Sequence, residues 1–324
     1  MGGDFAPKNV VCGALDAARE SAGRLSVILV GPKQRIEEEV RAARGGAAEI
    51  VHAPDVIDMH DSPTAALRSK RDSSIAVGLR LHHEGKADAF ISAGNTGAVM
   101  SASTLILGRI KGVSRPTIGA VVPTAKQPCF MVDAGANVDC RPQHLLEFAI
   151  MGAMYMSTML GRTRPSVGLL NIGEEENKGN EAAQTAHGLL RKSTLNFVGN
   201  IEGRDVLKGD VDIVVCDGFA GNILLKFGES VPAFLKARFV DFAGKSLRNT
   251  LVALIARGGL RSVLKELDYQ EHGGVPLLGV NGVSIIGHGG STAKAIKNMV
   301  FRAEEMVQRG VNTMIQNAMM EYHG

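Results

Sequence analysis

Lys178 is the one cation in "NIGEEENKGNE" (171–181), a stretch otherwise made of glutamates, asparagines, glycines and an isoleucine. A short apolar run, "PSVGLL" (165–170), leads into it, and a helix-like run, "EAAQTAHGLL" (181–190), follows. An ammonium at such a point supplies positive charge for a phosphate or for the oxyanion of a tetrahedral intermediate. A plainer role is also open to it, that of a solvated lysine paired with Glu174, Glu175 or Glu176. Asn222 closes "DGFAGN" (217–222) and offers an uncharged amide donor, or else a helix N-cap. No serine or cysteine stands beside a base in the manner of an activated nucleophile. A phosphate substrate needs none. It is substantially a dianion at neutral pH and attacks a carbonyl directly, so the protein has only to hold it and stabilise the oxyanion.

Such residues need elements that place them at one edge. Apolar runs at 25–31, 87–94, 128–137, 165–173, 212–222 and 283–291 each precede a helical pattern. Repeated strand–loop–helix units predict an α/β fold with a largely parallel central sheet. Ligands of such sheets bind beyond the carboxyl ends of strands, where loops enter helix N-termini. Five polar, Gly-rich turns fall there: "SAGNTGA" (92–98), "DAGAN" (133–137), the Lys178 stretch, "DGFAGN" and "GHGGST" (287–292). Free backbone N–H groups and the helix dipole make such turns anion sites. The alternative is that their glycines only permit tight turns.

The 324 residues are 45% hydrophobic and 21% charged, an ordinary globular balance, and no repeat or linker divides them. Trp is absent and aromatics are 4%, which speaks against stacking platforms for single-stranded nucleic acid. A net charge of +3 is too weak to argue for nucleic acid and is compatible with anionic substrates. Cys12, Cys129, Cys140 and Cys216 form no C-x-x-C pair and read as buried thiols of a reducing cytoplasm. There is no P-loop, no G-x-G-x-x-G after the first strand and no G-x-S-x-G elbow. The nine histidines lack zinc-like spacing, so neither metal nor cofactor is implied. No secretory signal and no membrane-spanning apolar run is present.

Eight blocks in one order carry a resemblance: "MGGDFAP" (1–7), "DSPTAALRSKRDSSI" (61–75), "FISAGNTGA" (90–98), "RP" (115–116), "DAGAN", "NIGEEENKGNE", "DGFAGN" and "IIGHGGS" (285–291). Together they closely resemble the bacterial acyl-ACP:phosphate acyltransferases of phospholipid synthesis, essentially from end to end. The resemblance implies attack of inorganic phosphate on the thioester of a long-chain acyl carrier protein, giving acyl phosphate. A membrane glycerol-3-phosphate acyltransferase then consumes that product. It implies a homodimer built as a three-layer α/β/α sandwich similar to isocitrate/isopropylmalate dehydrogenases and phosphotransacetylases, one domain over 1–324. Lys178 and Asn222 are then the catalytic pair. Gly94, Asn95, Thr96, Gly97, Asp133, Asn137, Asn180, Asp217, His288, Gly289, Gly290 and Ser291 are then phosphate or substrate contacts. Members of the family usually carry a short strand ending in Asp just before "MGGD", which leads to the expectation of a longer native protein.

Residues 245–267 read as a helical hairpin with an apolar tip, broken at Gly258–Gly259. Leu247, Leu251, Leu254 and Ile255 share one face, and Leu260, Val263, Leu264 and Leu267 resume it among Arg257, Arg261 and other cations. An ordinary core or dimer helix pair would read the same way. The resemblance favours instead contact of Leu251, Leu254, Ile255, Arg257, Leu260 and Arg261 with the inner membrane surface or the acidic carrier protein. Two other functions compete: a phosphotransacetylase-like enzyme using a short acyl-CoA, and a non-catalytic scaffold for carrier protein. A decarboxylating dehydrogenase is suggested by fold analogy alone. The methionines of "VNTMIQNAMMEY" (311–322) fit core or dimer packing.

Overall fold

A computed structural model describes residues 1–43, 48–266 and 273–323. The first elements are α1 (Lys8–Glu20), β1 (Ile28–Gly31), α2 (Lys33–Ala42) and β2 (Glu49–His52). They are followed by α3 (Pro63–Ser69), α4 (Ser74–His83), β3 (Ala89–Ser92) and α5 (Thr96–Ile106). The middle of the chain forms β4 (Thr117–Val122), β5 (Cys129–Val132), α6 (Pro142–Leu160), β6 (Ser166–Asn171), α7 (Glu181–Lys192), β7 (Asn196–Glu202) and β8 (Ile213–Val215). Then come α8 (Gly218–Gly244), α9 (Leu247–Glu266), β9 (Val275–Leu278), β10 (Val283–Ile286), α10 (Ala293–Gln308) and α11 (Val311–His323).

Eight strands make one sheet in the order β3-β10-β9-β4-β5-β8-β6-β7, and β1 pairs with β2 in a separate parallel ribbon. Alternation along the central strands builds a layer on each face. Phe130 and Val132 of β5 and Ile213 and Val215 of β8 join one core with Phe148 and Met156 of α6, Leu190 of α7 and Met299 of α10. Their neighbours Cys129, Met131, Val214 and Cys216 join the opposite core with Leu79 of α4 and Val99 and Ala102 of α5. The α/β/α sandwich expected from the sequence is therefore present. Ile315 and Met319 of α11 are fully buried in the first core, as expected for the terminal methionine-rich run.

Parallel pairings occupy the two wings, β3–β10 and β5–β8–β6–β7. Between them β9 is antiparallel to β10 and to β4, and β4 is antiparallel to β5. Three successive reversals make β3 and β10 run opposite to β5, β8, β6 and β7. The five polar turns thus do not leave from equivalent strand ends. Those after β3 and β10 leave one end of the sheet, and those after β5, β6 and β8 leave the other. A cavity of ~500 Å³ separates β1 from β3, lined by Leu29, Ile75, Phe90, Ile296 and Val300 and reached by Met1.

The helical protrusion differs from the expected hairpin. Its two arms are α8 and α9, and the turn is at Lys245–Ser246, where Asn249 Nδ2 donates to Phe242 O and Thr250 Oγ1 to Ala243 O. Gly258 and Gly259 lie inside α9 without breaking it. Glycine only weakens a helix, by ~1 kcal/mol relative to Ala, and neighbouring turns carry these two. Leu267 lies outside the described residues. Leu251, Leu254, Ile255, Arg257 and Arg261 are exposed, Ile255 at 86%, and Leu260 is half-buried. No helix among the described residues is long and apolar enough to cross a membrane.

Candidate active site

The β5, β8 and β6 ends bring one group of residues together. Asp133, fully buried at the end of β5, is the hub of "DAGAN". Its Oδ1 accepts from Gly135 N at 3.0 Å and Ala136 N at 2.9 Å. Its Oδ2 accepts from Asn137 N at 2.7 Å and Asn137 Nδ2 at 2.8 Å, while that same Nδ2 also donates to Pro116 O at 2.9 Å. Burial holds the Asp133 carboxyl above its usual range despite these bonds. Both residues organise the loop. Their hydrogen bonds go to the protein, leaving neither carboxylate oxygen for a substrate.

Close backbone approach packs "DGFAGN" against this loop. A Cβ on Gly221 would stand 1.9 Å from Asp133 O, and one on Gly218 would stand 2.8 Å from Asn137 N. Only glycine fits at either place. Asp217 N-caps α8 through Ala220 N at 2.7 Å. Asn222 is therefore not the cap. It is exposed beside Gly135, and its amide has no hydrogen-bond partner among the described residues.

Lys178 sits one strand further, on the exposed β6–α7 loop. Its Nζ is 3.8 Å from Glu175 Oε1, with the two side chains 46% and 64% exposed, a loose pair worth little in water. The anticipated glutamate partner is thus real, and it leaves the ammonium accessible. Glu176 turns to Arg191 instead. Three amides clamp the loop backbone. Asn171 Nδ2 donates to Lys178 O at 3.0 Å, Gln184 Nε2 to Asn177 O at 2.7 Å and Gly179 O at 3.2 Å, and Asn200 Nδ2 to Glu175 O at 2.8 Å. Asn180 N-caps α7 through Ala183 N at 2.8 Å. The sequence offered no sign of Asn200, which lies on β7 and meets Glu175 across 25 residues.

The second group lies at the other end of the sheet. Asn95 caps α5 through Ala98 N at 3.0 Å, and its Nδ2 lies 3.2 Å from each of the Asp58, Met59 and Asp61 carbonyls. Gly94, Thr96 and Gly97 complete that turn, with Gly97 facing Pro63. His288 Nδ1 accepts from Gly290 N at 3.1 Å, and Ser291 Oγ donates to His288 O at 2.6 Å. Gly3 approaches both Ala93 O and Gly289 O, and Asp4 N donates to Gly289 O at 2.8 Å, so "MGGD" wedges between the two turns. Asn95, Asn180 and Asp217, expected as ligand contacts, are N-caps, each with one side-chain oxygen accepting from the first turn of its helix.

The helix α5 links the groups, running from Asn95 toward Arg115 and Asn137. At ~1.5 Å per residue its 11 residues span about 16 Å. A recess of ~350 Å³ opens along it, bounded by Thr64, Ser101, Thr104, Arg115 and Asn137. Thr64 and Arg115 fall within two of the blocks that carry the resemblance. Burial pushes the Cys129 and Cys140 thiols up to about 12 and holds Cys216 well above its ordinary range, which makes poor nucleophiles of all three. Among the described residues no cluster of His, Cys, Asp or Glu could hold a metal ion.

The comparisons with known proteins bear on the family to which the chain belongs and on its fold. The family model described as "fatty acid synthesis protein" matches residues 1–314. A phosphate acyltransferase of Pelotomaculum thermopropionicum is 50% identical over 309 residues, 95% of this chain and 90% of that one. The phosphate acyltransferase of Heliobacterium modesticaldum is 50% identical over 319 residues, 98% of this chain and 95% of that one. Among solved structures, a phosphotransacetylase from Streptococcus pyogenes superposes with a TM-score of 0.62 at 16% identity, covering 94% of this chain and 92% of that one. A 4-hydroxythreonine-4-phosphate dehydrogenase from Klebsiella pneumoniae does so with 0.53 at 13%, covering 95% and 98%. At those identities the structural likeness is one of fold. The sequence likeness is of another order, and it places the chain in the phosphate acyltransferase family.

Proposed function

We propose that this chain transfers a long-chain acyl group from the thioester of acyl carrier protein to inorganic phosphate. A phosphate oxygen attacks the thioester carbon, the tetrahedral oxyanion collapses, the C–S bond breaks, and the thiolate leaves to take a proton from water. The products are acyl phosphate and free carrier protein. Lys178 neutralises charge on the phosphate or the oxyanion, and Asn222 donates its amide to the phosphate or the thioester carbonyl. The observation that supports this most is the pairing of an accessible ammonium with an unpartnered amide. They stand on loops from neighbouring strands, in a chain whose relatives are named phosphate acyltransferases.

The exposed apolar residues of α8 and α9 support the remaining partners. Phe227, Phe234, Leu247, Leu251, Leu254 and Ile255 are all more than half exposed, and Arg257 and Arg261 lie beside the last of them. We assign α9 to the inner membrane surface of the cytoplasm or to the acidic carrier protein, and part of the protrusion to a homodimer. The acyl phosphate then passes to a membrane acyltransferase acting on glycerol 3-phosphate.

Thiol release from palmitoyl carrier protein, with and without inorganic phosphate, tests the reaction. Phosphate-dependent release by the wild type, abolished in Lys178→Ala, is expected. Release unchanged in the variant returns Lys178 to a surface ion pair with Glu175. Silence from the wild type favours the scaffold. The fold likeness to phosphotransacetylases favours a second reading, a short acyl-CoA donor, which holds if acetyl-CoA outcompetes palmitoyl carrier protein. For the membrane role, Leu254→Glu should fail to float with anionic liposomes, and flotation equal to wild type would refute it.

A further inference from the structure

The recess along α5 has a chemistry that the acyl-transfer loops do not account for. Its one cation is Arg115, exposed and without an ion-pair partner among the described residues. Lys70 pairs with Asp61 and Arg191 with Glu176, while Lys178 keeps only its loose contact with Glu175. The hydroxyls of Thr64 and Ser101 line the same recess, and neither has a hydrogen-bond partner among the described residues. Asn137 closes the far side, pinned through Nδ2 to Pro116 O, so the Arg115–Pro116 backbone is tied to the loop that meets Asn222. The influence of Arg115 reaches Cys140 and His144, which places its positive field at the β5–α6 turn.

A planar fork of N–H donors, two free hydroxyls and a pocket of this size form a donor set for a tetrahedral oxyanion. We propose that Arg115, with Thr64 and Ser101, is a phosphate-group subsite of the acyl-transfer centre. The proposal rests on the phosphate acyltransferase reading above. Two substrates carry such a group: inorganic phosphate itself, and the phosphodiester of the pantetheine arm of an acyl carrier protein. Either would present the same kind of oxyanion to these three side chains.

Steady-state kinetics of Arg115→Ala and Arg115→Lys separate the sources. With palmitoyl carrier protein as donor, removal of the charge-assisted fork should raise one KM by about 10- to 100-fold while kcat changes little. Arg115→Lys should recover part of that loss. A raised KM for inorganic phosphate identifies the acceptor. A raised KM for the carrier protein alone, absent with a palmitoyl thioester of N-acetylcysteamine, identifies the arm. Both KM values unchanged in an active Arg115→Ala overturns the subsite. If the wild type shows no thiol release, the acyltransfer reading fails first, and calorimetric titration with inorganic phosphate decides the subsite alone. Binding by wild type that Arg115→Ala loses supports it. Binding retained by the variant, or no binding by the wild type, overturns it.

Discussion

Asp133→Asn separates a carboxylate that builds the site from one that touches substrate. The native side chain is fully buried and accepts four bonds of 2.7–3.0 Å, two at each oxygen, with a fifth from Ile118 N to Oδ1 at 3.4 Å. An amide is nearly isosteric but has only one acceptor atom, and its NH₂ must face two N–H donors whichever way it turns. Two buried donors left without partners cost about 1–3 kcal/mol each. Relief from burying a carboxylate offsets part of this, leaving a loss on the order of 2–4 kcal/mol. For a chain of 324 residues that lowers Tm by about 3–6 °C. Burial holds the Asp133 carboxyl above the ordinary 3.8, so the folded state keeps its proton more tightly than the unfolded chain. That stabilisation is complete below pH 3.8 and is lost as pH rises through the raised value. The variant lacks it, so its Tm changes less over that window. The assay is a thermal melt followed by phosphate-dependent thiol release well below the variant's Tm. A variant that melts with the wild type yet shows a several-fold higher KM for phosphate would refute the reasoning, because the carboxylate would then be a ligand.

Gly221→Ala places a methyl 1.9 Å from Asp133 O, so it should destabilise by about 3 kcal/mol or more and yield little folded protein, read by melting and expression. Gln184→Leu and Asn200→Leu each remove a clamp on the Lys178 loop; each should lower kcat by about 10-fold, with Tm moved by a few degrees at most. Neither should act further on Lys178→Ala, and additive losses in the double variants would show that the clamps do not work through Lys178. Asn180→Ala should lose an N-cap worth about 1 kcal/mol, with KM for phosphate unchanged; a raised KM would restore it as a contact. Cys129 and Cys140, with thiols pushed to about 12, and Cys216, raised by burial, should resist alkylation at pH 8 until the chain is denatured.

Local patterns were enough to determine much of this protein. Pro142 at the start and Gly161 at the left-handed end mark α6, and Asn180 marks the start of α7, because caps are local events. Lys178 and Asn222 stood out because polar residues after an apolar strand run have few structural reasons to be there. What local pattern did not reveal was β2, β4, β7 and β9. Of these, β4 and β9 have no helix directly after them, and the strand–loop–helix rhythm passes over them. Their antiparallel insertion divides the turns into two groups at opposite ends of the sheet, a relation that exists only between strands far apart in the chain. The same is true of Asn200 against Glu175 and of Arg115 beside Asn137. Residue type at a loop says what chemistry is available. Strand order and the partners a side chain finds decide which of those residues remain free to perform it, and here Asn95, Asn180 and Asp217 were used as caps while Lys178, Asn222 and Arg115 were left accessible.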